Sequence, residues 1–316
     1  MTMSTIKIGV DGGATKTECI LVDGGGAVIA RHTAPGCSPS HVGPEQARAI
    51  LVDALRALTA GQAAPAARVL LCMAGNPAFW RETAEKLEGF GKAETAPDSL
   101  PALELATEGG PGAVLHGGTG SFVAARGPDG SLHYAGGLGW RFDDPGSGYD
   151  LGRRAIAHAM LELQGWTARP ASRAKPGTRS RLAAALCEYT GIESYRPALQ
   201  LFYGDSAEVG AKIAGFAPRV VELAEQHDAD ASAVIADSVA GFAPLVNGML
   251  ARVFPAAAAR NAQSLVTCGI SGTLLNRPPC WRALQALAAA HAWPVRLRPI
   301  TDPPIEGVRR LLARMA

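Results

Sequence analysis

Short apolar runs separated by glycine turns dominate the first 35 residues of the chain. The run IKIGV alternates, with Ile6, Ile8 and Val10 on one face, and TECILVD has the pattern of a mostly buried strand. The turn DGGG and the run AVIARH complete three predicted strands joined by tight turns.

Helix and strand patterns follow this opening, as in an α/β fold. GPEQARAILVDALRALTA has the apolar spacing of an amphipathic helix, ARVLLCMAG predicts a strand, and AFWRETAEKLEGF predicts a second helix. KAETAPDSLPALELA predicts the end of a strand that passes into a helix.

The opening pattern returns 105 residues later. GAVLHGGTGSFVAARGPDGSLHYAGG again predicts strand, glycine turn, strand, glycine-rich turn and strand, with Gly117-Gly118 corresponding to Gly12-Gly13. Self-similarity of this kind indicates an internal duplication, in which each half of the chain opens with one copy.

The remainder is mostly helical by its pattern. Predicted helices are DLGRRAIAHAMLELQGW, RSRLAAALCEYTG, FAPRVVELAEQH, a long stretch from about Asp230 to Phe254, and the closing segment IEGVRRLLARM. SLVTCGISG and WPVRLRP predict strands, and residues 168–180 predict a surface loop.

Composition narrows the class of protein. The 316 residues are 47% apolar and 18% charged, which predicts a compact chain with room for two domains. The net charge of +2 gives no footprint for nucleic acid or an anionic membrane, and no apolar run approaches the roughly 20 residues of a membrane span. Six scattered cysteines and the missing signal peptide predict reduced thiols in a cytoplasm.

Both glycine turns carry residues suited to binding phosphate. Backbone N–H groups unshielded by side chains cradle phosphate oxygens, and hydroxyl or ammonium groups can add to them. The candidate residues are Gly12, Gly13, Thr15, Lys16 and Thr17 in the first turn, and Gly118, Thr119, Gly120 and Ser121 in the second. The alternative is that both are ordinary hairpin turns.

Asp11 stands directly before the first turn, where a carboxylate would repel phosphate. A hydrated Mg²⁺ between the two would remove this conflict, because Mg²⁺ usually keeps several waters and binds one or two carboxylates. We therefore predict that Asp11 binds Mg²⁺ through water. The second turn has His116 at the matching position, so the two halves are not equivalent.

Five segments, taken in order, resemble the BadF/BcrA-type ATPase family of the actin-like, sugar-kinase and heat-shock superfamily, in particular its N-acetylglucosamine kinase-like branch. They are GVDGGATKTECILVD, GGTGSFVAAR, GGLGWRFDDPGSGYDLGRRAI, LVTCGISGTLL and PPIEGVRRLLAR. The resemblance covers nearly the whole chain and implies an α/β fold of two ribonuclease-H-like domains with an ATP cleft between them. The implied domains are residues 1–105 with about 297–316, and residues 106–296 with helical insertions.

The resemblance also implies a catalytic base. Related kinases place an aspartate about 20 residues before the second phosphate turn, and Asp98 has that position here. Its carboxylate would accept the proton of the attacking hydroxyl. This chain departs from the relatives by having Pro97 and Ser99 where they have asparagine and alanine. The alternative is that Asp98 only caps the helix that begins near Ser99.

A sugar site is implied around the DDPGSG turn, where the Asp144 carboxylate would accept hydrogen bonds from vicinal hydroxyls. Pro145 replaces a glutamate of the relatives, and the alternative is an ordinary Asp-Pro-Gly turn. Ser38 replaces an asparagine and reaches less far than an amide. The implied sugar site also includes Gly137 and Thr119, and the implied adenosine site includes Gly269, Ser271 and Gly272.

The function implied is ATP-dependent phosphorylation of an amino sugar, N-acetylglucosamine or glucosamine, at the 6-hydroxyl, with Mg²⁺. One alternative is a family ATPase that activates a partner redox enzyme, which would need clustered thiolates for a shared iron–sulfur cluster. A different hexose kinase and a sensing module without turnover are the others. The partner expected is a small sugar, without nucleic acid or membrane. Family members are often dimers, which leaves a homodimer open.

Overall fold

The computed structural model describes residues 6–62, 65–142, 144–166, 179–204, 207–258 and 265–315. Contacts divide the chain into two compact units, the first formed by residues 1–110 and 300–316 and the second by residues 111–299. All but the last two residues of the loop predicted at 168–180 lie outside the described residues.

The strands of the described residues are β1 (Lys7–Gly12), β2 (Lys16–Val22), β3 (Val28–Pro35), β4 (Arg68–Met73), β5 (Lys92–Pro97), β6 (Gly112–Gly117), β7 (Ser121–Arg126), β8 (Leu132–Gly136), β9 (Val266–Ser271) and β10 (Val295–Pro299). The helices are α1 (Pro39–Val42), α2 (Pro44–Leu58), α3 (Pro77–Glu85), α4 (Ser99–Thr107), α5 (Gly148–Leu163), α6 (Arg181–Thr190), α7 (Tyr195–Gln200), α8 (Ala207–Gly215), α9 (Ala217–Glu225), α10 (Ala229–Ala240), α11 (Phe242–Val253), α12 (Pro255–Ala258), α13 (Pro278–Ala290) and α14 (Pro304–Arg314).

The two sheets have the same topology. The order is β3-β2-β1-β4-β5 in the first unit and β8-β7-β6-β9-β10 in the second. In each, the first three strands pair antiparallel and the last two run parallel to the first. Because β1 and β6 end at Gly12 and Gly117, the repeat of 105 residues found in the sequence is a repeat of structure.

Both faces of the first sheet are covered by helices. Ile8, Val10 and Leu71 face one side and form a core with Leu51 and Leu55 of α2. The opposite face packs against α14, in a core formed by Ile20, Val22, Leu70, Cys72, Ile305, Val308 and Leu312. Central strands buried on both faces carry the near-continuous apolar runs seen in the sequence.

The C-terminal helix α14 is therefore part of the first unit. A Cβ atom on Gly9 of β1 would lie 2.6 Å from Cγ1 of Val308, so the strand and the helix are in close contact there. Arg314 forms an ion pair with Glu104 of α4, with nitrogen–oxygen distances of 2.8 and 2.9 Å, and the Glu104 side chain is fully buried. This pair joins the last turn of α14 to α4.

The second unit carries a thick helical layer on its sheet. Leu115, Val123 and Ala125 of the strands share one core with α5, α6, α9, α10 and α11. Ala229–Val253 is long and apolar enough by composition to cross a membrane, so the expectation that no run approaches that length is wrong for this stretch. Half of its apolar window is buried in the unit, as in the core helix of a globular domain, which makes it weak evidence for a span.

We expect Arg314→Ala to lower the free energy of unfolding by about 3 kcal/mol, because it leaves the buried Glu104 carboxylate without its ion-pair partner. The matched control is Arg56→Ala on α2, whose pair with Asp53 is exposed, and this change should cost less than about 0.5 kcal/mol. Urea unfolding of both variants measures the difference. Equal effects would contradict a structural role for the pair in docking α14.

Candidate functional site

The first glycine turn is packed tightly against the end of β3. The N–H of Gly13 donates to the Lys16 carbonyl at 3.0 Å, and the N–H of Cys37 donates to the Gly13 carbonyl at 3.1 Å. A Cβ on Gly36 would lie 2.7 Å from the backbone nitrogen of Thr15, and one on Gly12 would lie 2.7 Å from the sulfur of Met73. The backbone of this turn is held where side chains would not fit.

The three side chains predicted to assist phosphate binding have different environments. Thr15 and Lys16 are exposed, and the Lys16 ammonium lies 2.8 Å from the Glu18 carboxylate. Thr17 is fully buried, and its hydroxyl donates to the Pro35 carbonyl at 2.9 Å. For Thr17 to donate to phosphate, its hydroxyl would have to give up that bond.

Asp11 and Asp98 lie at the same edge of the first sheet. Asp11 pairs in register with Cys72 of β4, which pairs with Ala96 of β5, and Asp98 follows two residues later. β1, β4 and β5 are parallel, so both carboxylates are at the carboxyl ends of strands, the edge at which open α/β sheets bind ligands.

Burial, together with the negative charges of Asp98 and Glu18, raises the pKa of Asp11 to about 7, while the positive charge of Lys16 opposes the shift. Glu18 lies directly opposite Asp11 in the antiparallel pair of β1 and β2, a position at which like charges repel. An ionised Asp11 therefore meets more negative than positive charge in this part of the site.

That charge fits the predicted Mg²⁺ site. Among the described residues no three His, Cys, Asp or Glu side chains come together as a direct metal site. A single carboxylate that holds a hydrated ion needs no such cluster, because waters and phosphate oxygens complete the Mg²⁺ shell. The residues present thus fit a hydrated Mg²⁺ ion, for which the protein provides the Asp11 carboxylate.

Asp98 precedes α4 but does not cap it. Its side chain makes no capping hydrogen bond, although it stands at the N-cap position. A cap bonds the N–H of the second or third helical residue, and here the third is Pro101, which has none. Burial raises the pKa of Asp98, while the backbone N–H groups of Ser99 and Asp98 lower it. The carboxylate is thus available for another role.

Ser38 lies next to the turn that follows β4. Its side chain is buried, and its Oγ is 3.0 Å from the Oγ of Ser40. A Cβ on Gly75 would lie 3.7 Å from the same Ser38 oxygen. Ser38 is thus placed beside the carboxyl end of β4, the strand between those of Asp11 and Asp98.

The second glycine turn is fixed by α5 and by the turn after β9. The N–H of Gly148, the first residue of α5, donates to the Gly118 carbonyl at 2.8 Å, and the N–H of Gly118 donates to the Gly120 carbonyl at 2.9 Å. Gly272 has a φ of 104°, and a Cβ there would lie 2.6 Å from the backbone carbon of Gly117. Only glycine tolerates both conditions, so the segment from Gly269 to Gly272 is brought against this turn.

The candidate sugar residue Asp144 lies beside the second turn. A Cβ on Gly120 would lie 2.9 Å from Oδ2 of Asp144, and the Asp144 side chain is buried. Pro145, the departure from the relatives, packs on Gly241 at the start of α11. Gly137 follows β8 with a φ of 63°, next to the Tyr134 ring.

His116 occupies in β6 the position that Asp11 has in β1. Its Nδ1 is 3.2 Å from the Oγ of Ser271, and its ring stacks on Phe122 with centroids 4.8 Å apart. Burial lowers the pKa of His116 to about 4, so the ring is neutral at pH 7. Ser121 is buried in the same turn, and its hydroxyl has no hydrogen-bond partner among the described residues.

Comparison with known proteins identifies the relatives of this arrangement. The profile of the BadF/BadG/BcrA/BcrD ATPase family matches residues 8–269. The chain belongs to this family.

Several individual proteins are similar to this chain over most of its length. An N-acetyl-D-glucosamine kinase of Dictyostelium discoideum is 25% identical over 267 residues, which are 78% of this chain and 80% of that protein. The crystal structure of a proposed N-acetylglucosamine kinase of Chromobacterium violaceum superposes with a TM-score of 0.72 at 25% identity, over 98% of this chain and 99% of that one. A glucokinase of the ROK family from Streptomyces griseus shares the fold, with a TM-score of 0.56 at 13% identity over 96% and 97%. The predicted class of fold, a duplicated actin-like ATPase, is confirmed.

The raised pKa of Asp11 predicts a pH-dependent gain in stability for Asp11→Asn. Between the unfolded pKa of 3.8 and the folded value of about 7, the folded state binds the additional proton. Folding stability from this group is therefore complete below about pH 4 and is lost as the pH rises towards 7. The variant should match the wild type near pH 4 and exceed it by about 1 to 4 kcal/mol above pH 7.

Urea unfolding in EDTA from pH 4 to 8 measures this difference. Asp53→Asn, a change at an exposed aspartate of α2, is the control and should show no such trend. A difference that stays constant with pH would contradict the raised pKa of Asp11 in the folded state.

Proposed function

We propose that this protein transfers the γ-phosphoryl group of ATP to the 6-hydroxyl of an amino sugar, N-acetylglucosamine or glucosamine. The observation that carries the proposal is Asp98, a partly buried carboxylate at the start of a helix that it does not cap. Membership of an ATPase family and the 25% identity to a kinase of N-acetyl-D-glucosamine support the reaction class.

Asp98 would act as the general base. Its carboxylate accepts the proton of the sugar hydroxyl while that oxygen forms a bond to the γ-phosphorus, and the bond from the γ-phosphorus to the bridging oxygen of ADP breaks. A carboxylate with a raised pKa accepts a proton more readily than an exposed one. The burial of Asp98 therefore suits this role.

The glycine turns would bind the phosphates through backbone N–H groups, with Thr15, Lys16, Thr119 and Ser121 as candidate side chains. Mg²⁺, held through water by Asp11, would supply positive charge against the phosphate oxygens. The Gly269–Gly272 segment would line the purine, and Asp144, Ser38 and Gly137 would contact the sugar.

The redox-activator alternative has less support from this chain. All six cysteines are free and buried, and each lies in the core of its unit or under a turn. An iron–sulfur cluster shared with a partner needs thiolates that reach the surface. The kinase proposal is therefore preferred over the redox-activator alternative. It does not require the redox partner protein of that alternative.

The decisive experiment measures ADP release with Mg-ATP and a panel of sugars. We expect N-acetylglucosamine or glucosamine to stimulate turnover, and Asp98→Asn to lower kcat by about 10²- to 10⁴-fold, as for loss of a general base. Asp53→Asn is the control for the aspartate-to-asparagine change. If no sugar stimulates wild-type turnover above the rate of Asp98→Asn, the kinase proposal is rejected. If a 6-deoxy sugar is phosphorylated, transfer to the 6-hydroxyl is rejected.

A second variant tests the sugar contact. Asp144→Asn should raise the KM for the sugar about 10- to 100-fold, because a hydrogen bond to a charged group contributes about 1.5 to 3 kcal/mol. The KM for ATP should change less than about threefold. Steady-state kinetics with each substrate varied in turn measure both constants, and equal changes in the two would argue against a sugar contact.

A further inference from the structure

The elements that carry Asp11 and Asp98 both pack against α14. The helix contacts β1, which ends beside Asp11, and α4, which begins directly after Asp98. It also begins nearly 200 residues after the end of α4 and nearly 300 residues after the end of β1. A shift of α14 against one of these elements would therefore change the distance between the two carboxylates.

At one point α14 and α4 are in contact through their backbones, without a side chain between them. A Cβ on Gly307 would lie 2.7 Å from the carbonyl carbon of Pro101 and 2.8 Å from its Cα, and closer still to its carbonyl oxygen. Real Cβ atoms essentially never come within 3.0 Å of such atoms. Pro101 is the third residue of α4 and follows Asp98 by three positions.

The first turn of α4 has little freedom to deform around an added side chain. The ring of Pro101 fixes its φ near −65°, so the turn moves together with the residues before it. The far end of α4 is anchored, because the Arg314 guanidinium pairs with Glu104 and donates to the Glu108 carbonyl at 2.8 Å. A push at Pro101 would tilt the start of the helix and leave its end in place.

We propose that Gly307 is a positioning residue, which sets the location of the Asp98 carboxylate by allowing α14 to contact the first turn of α4. The proposal rests on the proposed function for its effect on turnover. It rests on packing alone for its effect on the structure.

The test is Gly307→Ala. The added Cβ requires α4 and α14 to separate by about 1 Å at Pro101, and a displacement of that size near a reacting group can cost about 10²-fold in rate. We expect kcat to fall about 10- to 100-fold while the KM values for sugar and ATP stay within about threefold. A loss of folded protein would also lower the apparent kcat at constant KM, so kcat is calculated per folded molecule, with the folded fraction of each variant measured by urea unfolding.

The control is Gly248→Ala on α11. Gly248 is also a glycine inside a helix, but a Cβ there meets nothing within 4 Å. Both changes add the same methyl group and raise helix propensity by the same amount. We expect Gly248→Ala to keep the wild-type kcat, and an equal loss in both variants would overturn the proposal.

A rescue experiment separates positioning from damage to the site. Asp98→Glu lengthens the carboxylate side chain by one methylene, which misplaces it in the wild type. If Gly307→Ala withdraws the start of α4, the longer side chain should restore at least about tenfold of the lost kcat in the double variant. If the two substitutions lower kcat by strictly additive free energies, the proposal is contradicted. Two changes that act on the same distance have effects that are not additive.

Crystal structures of Gly307→Ala and Gly248→Ala give a readout that does not depend on turnover. The first turn of α4 should move relative to β1 in the Gly307 variant alone. If α14 moves away and Asp98 keeps its place, the proposal is wrong. A wild type without sugar-stimulated turnover would reject the proposed function, and the displacement of α4 would still decide the positioning role.

Discussion

Backbone packed directly against backbone, at positions where only glycine fits, holds the strand ends that carry the candidate chemistry. Gly36 is in close backbone contact with the first turn, Gly272 with the second turn, and Gly307 with the start of α4. At such contacts no side chain can act as a flexible spacer, and the atoms are fixed to within the width of a methyl group. The turns and Asp98 therefore owe their positions to residues without any functional group.

The two units share one topology, and they differ in charge where their first strands end. In the first unit, a carboxylate faces two others and its proton affinity rises until it titrates near neutrality. In the second, the equivalent histidine is stacked on Phe122 and stays neutral. The two turns follow equivalent strands, and the first is the one with a carboxylate that would suit a cation.

Much of the fold was predictable, because strong periodicity and glycine turns mark β1 to β3 and β6 to β8 in the chain. The pattern gave no prediction for α8 or α13, although the two prolines at the start of α13 are typical of a first helical turn. Of the candidate site, Asp11, Asp98 and the two turns were predicted from the sequence, and their roles stay predictions. The burial of Thr17 was missed, yet the alternation of Thr17, Cys19 and Leu21 would have indicated it. Contacts such as that of Gly307 with Pro101 depend on tertiary packing, which one sequence does not show.

The first unit is discontinuous along the chain. Ile20, Leu70 and Cys72 obtain their cover from α14, about 200 residues after the end of α4. At a synthesis rate of about 5 to 20 residues per second, one face of the first sheet stays bare for roughly 10 to 40 s during translation. The second unit is continuous from residue 111 to 299, so all of its strands and helices are synthesised before the helix that completes the first unit.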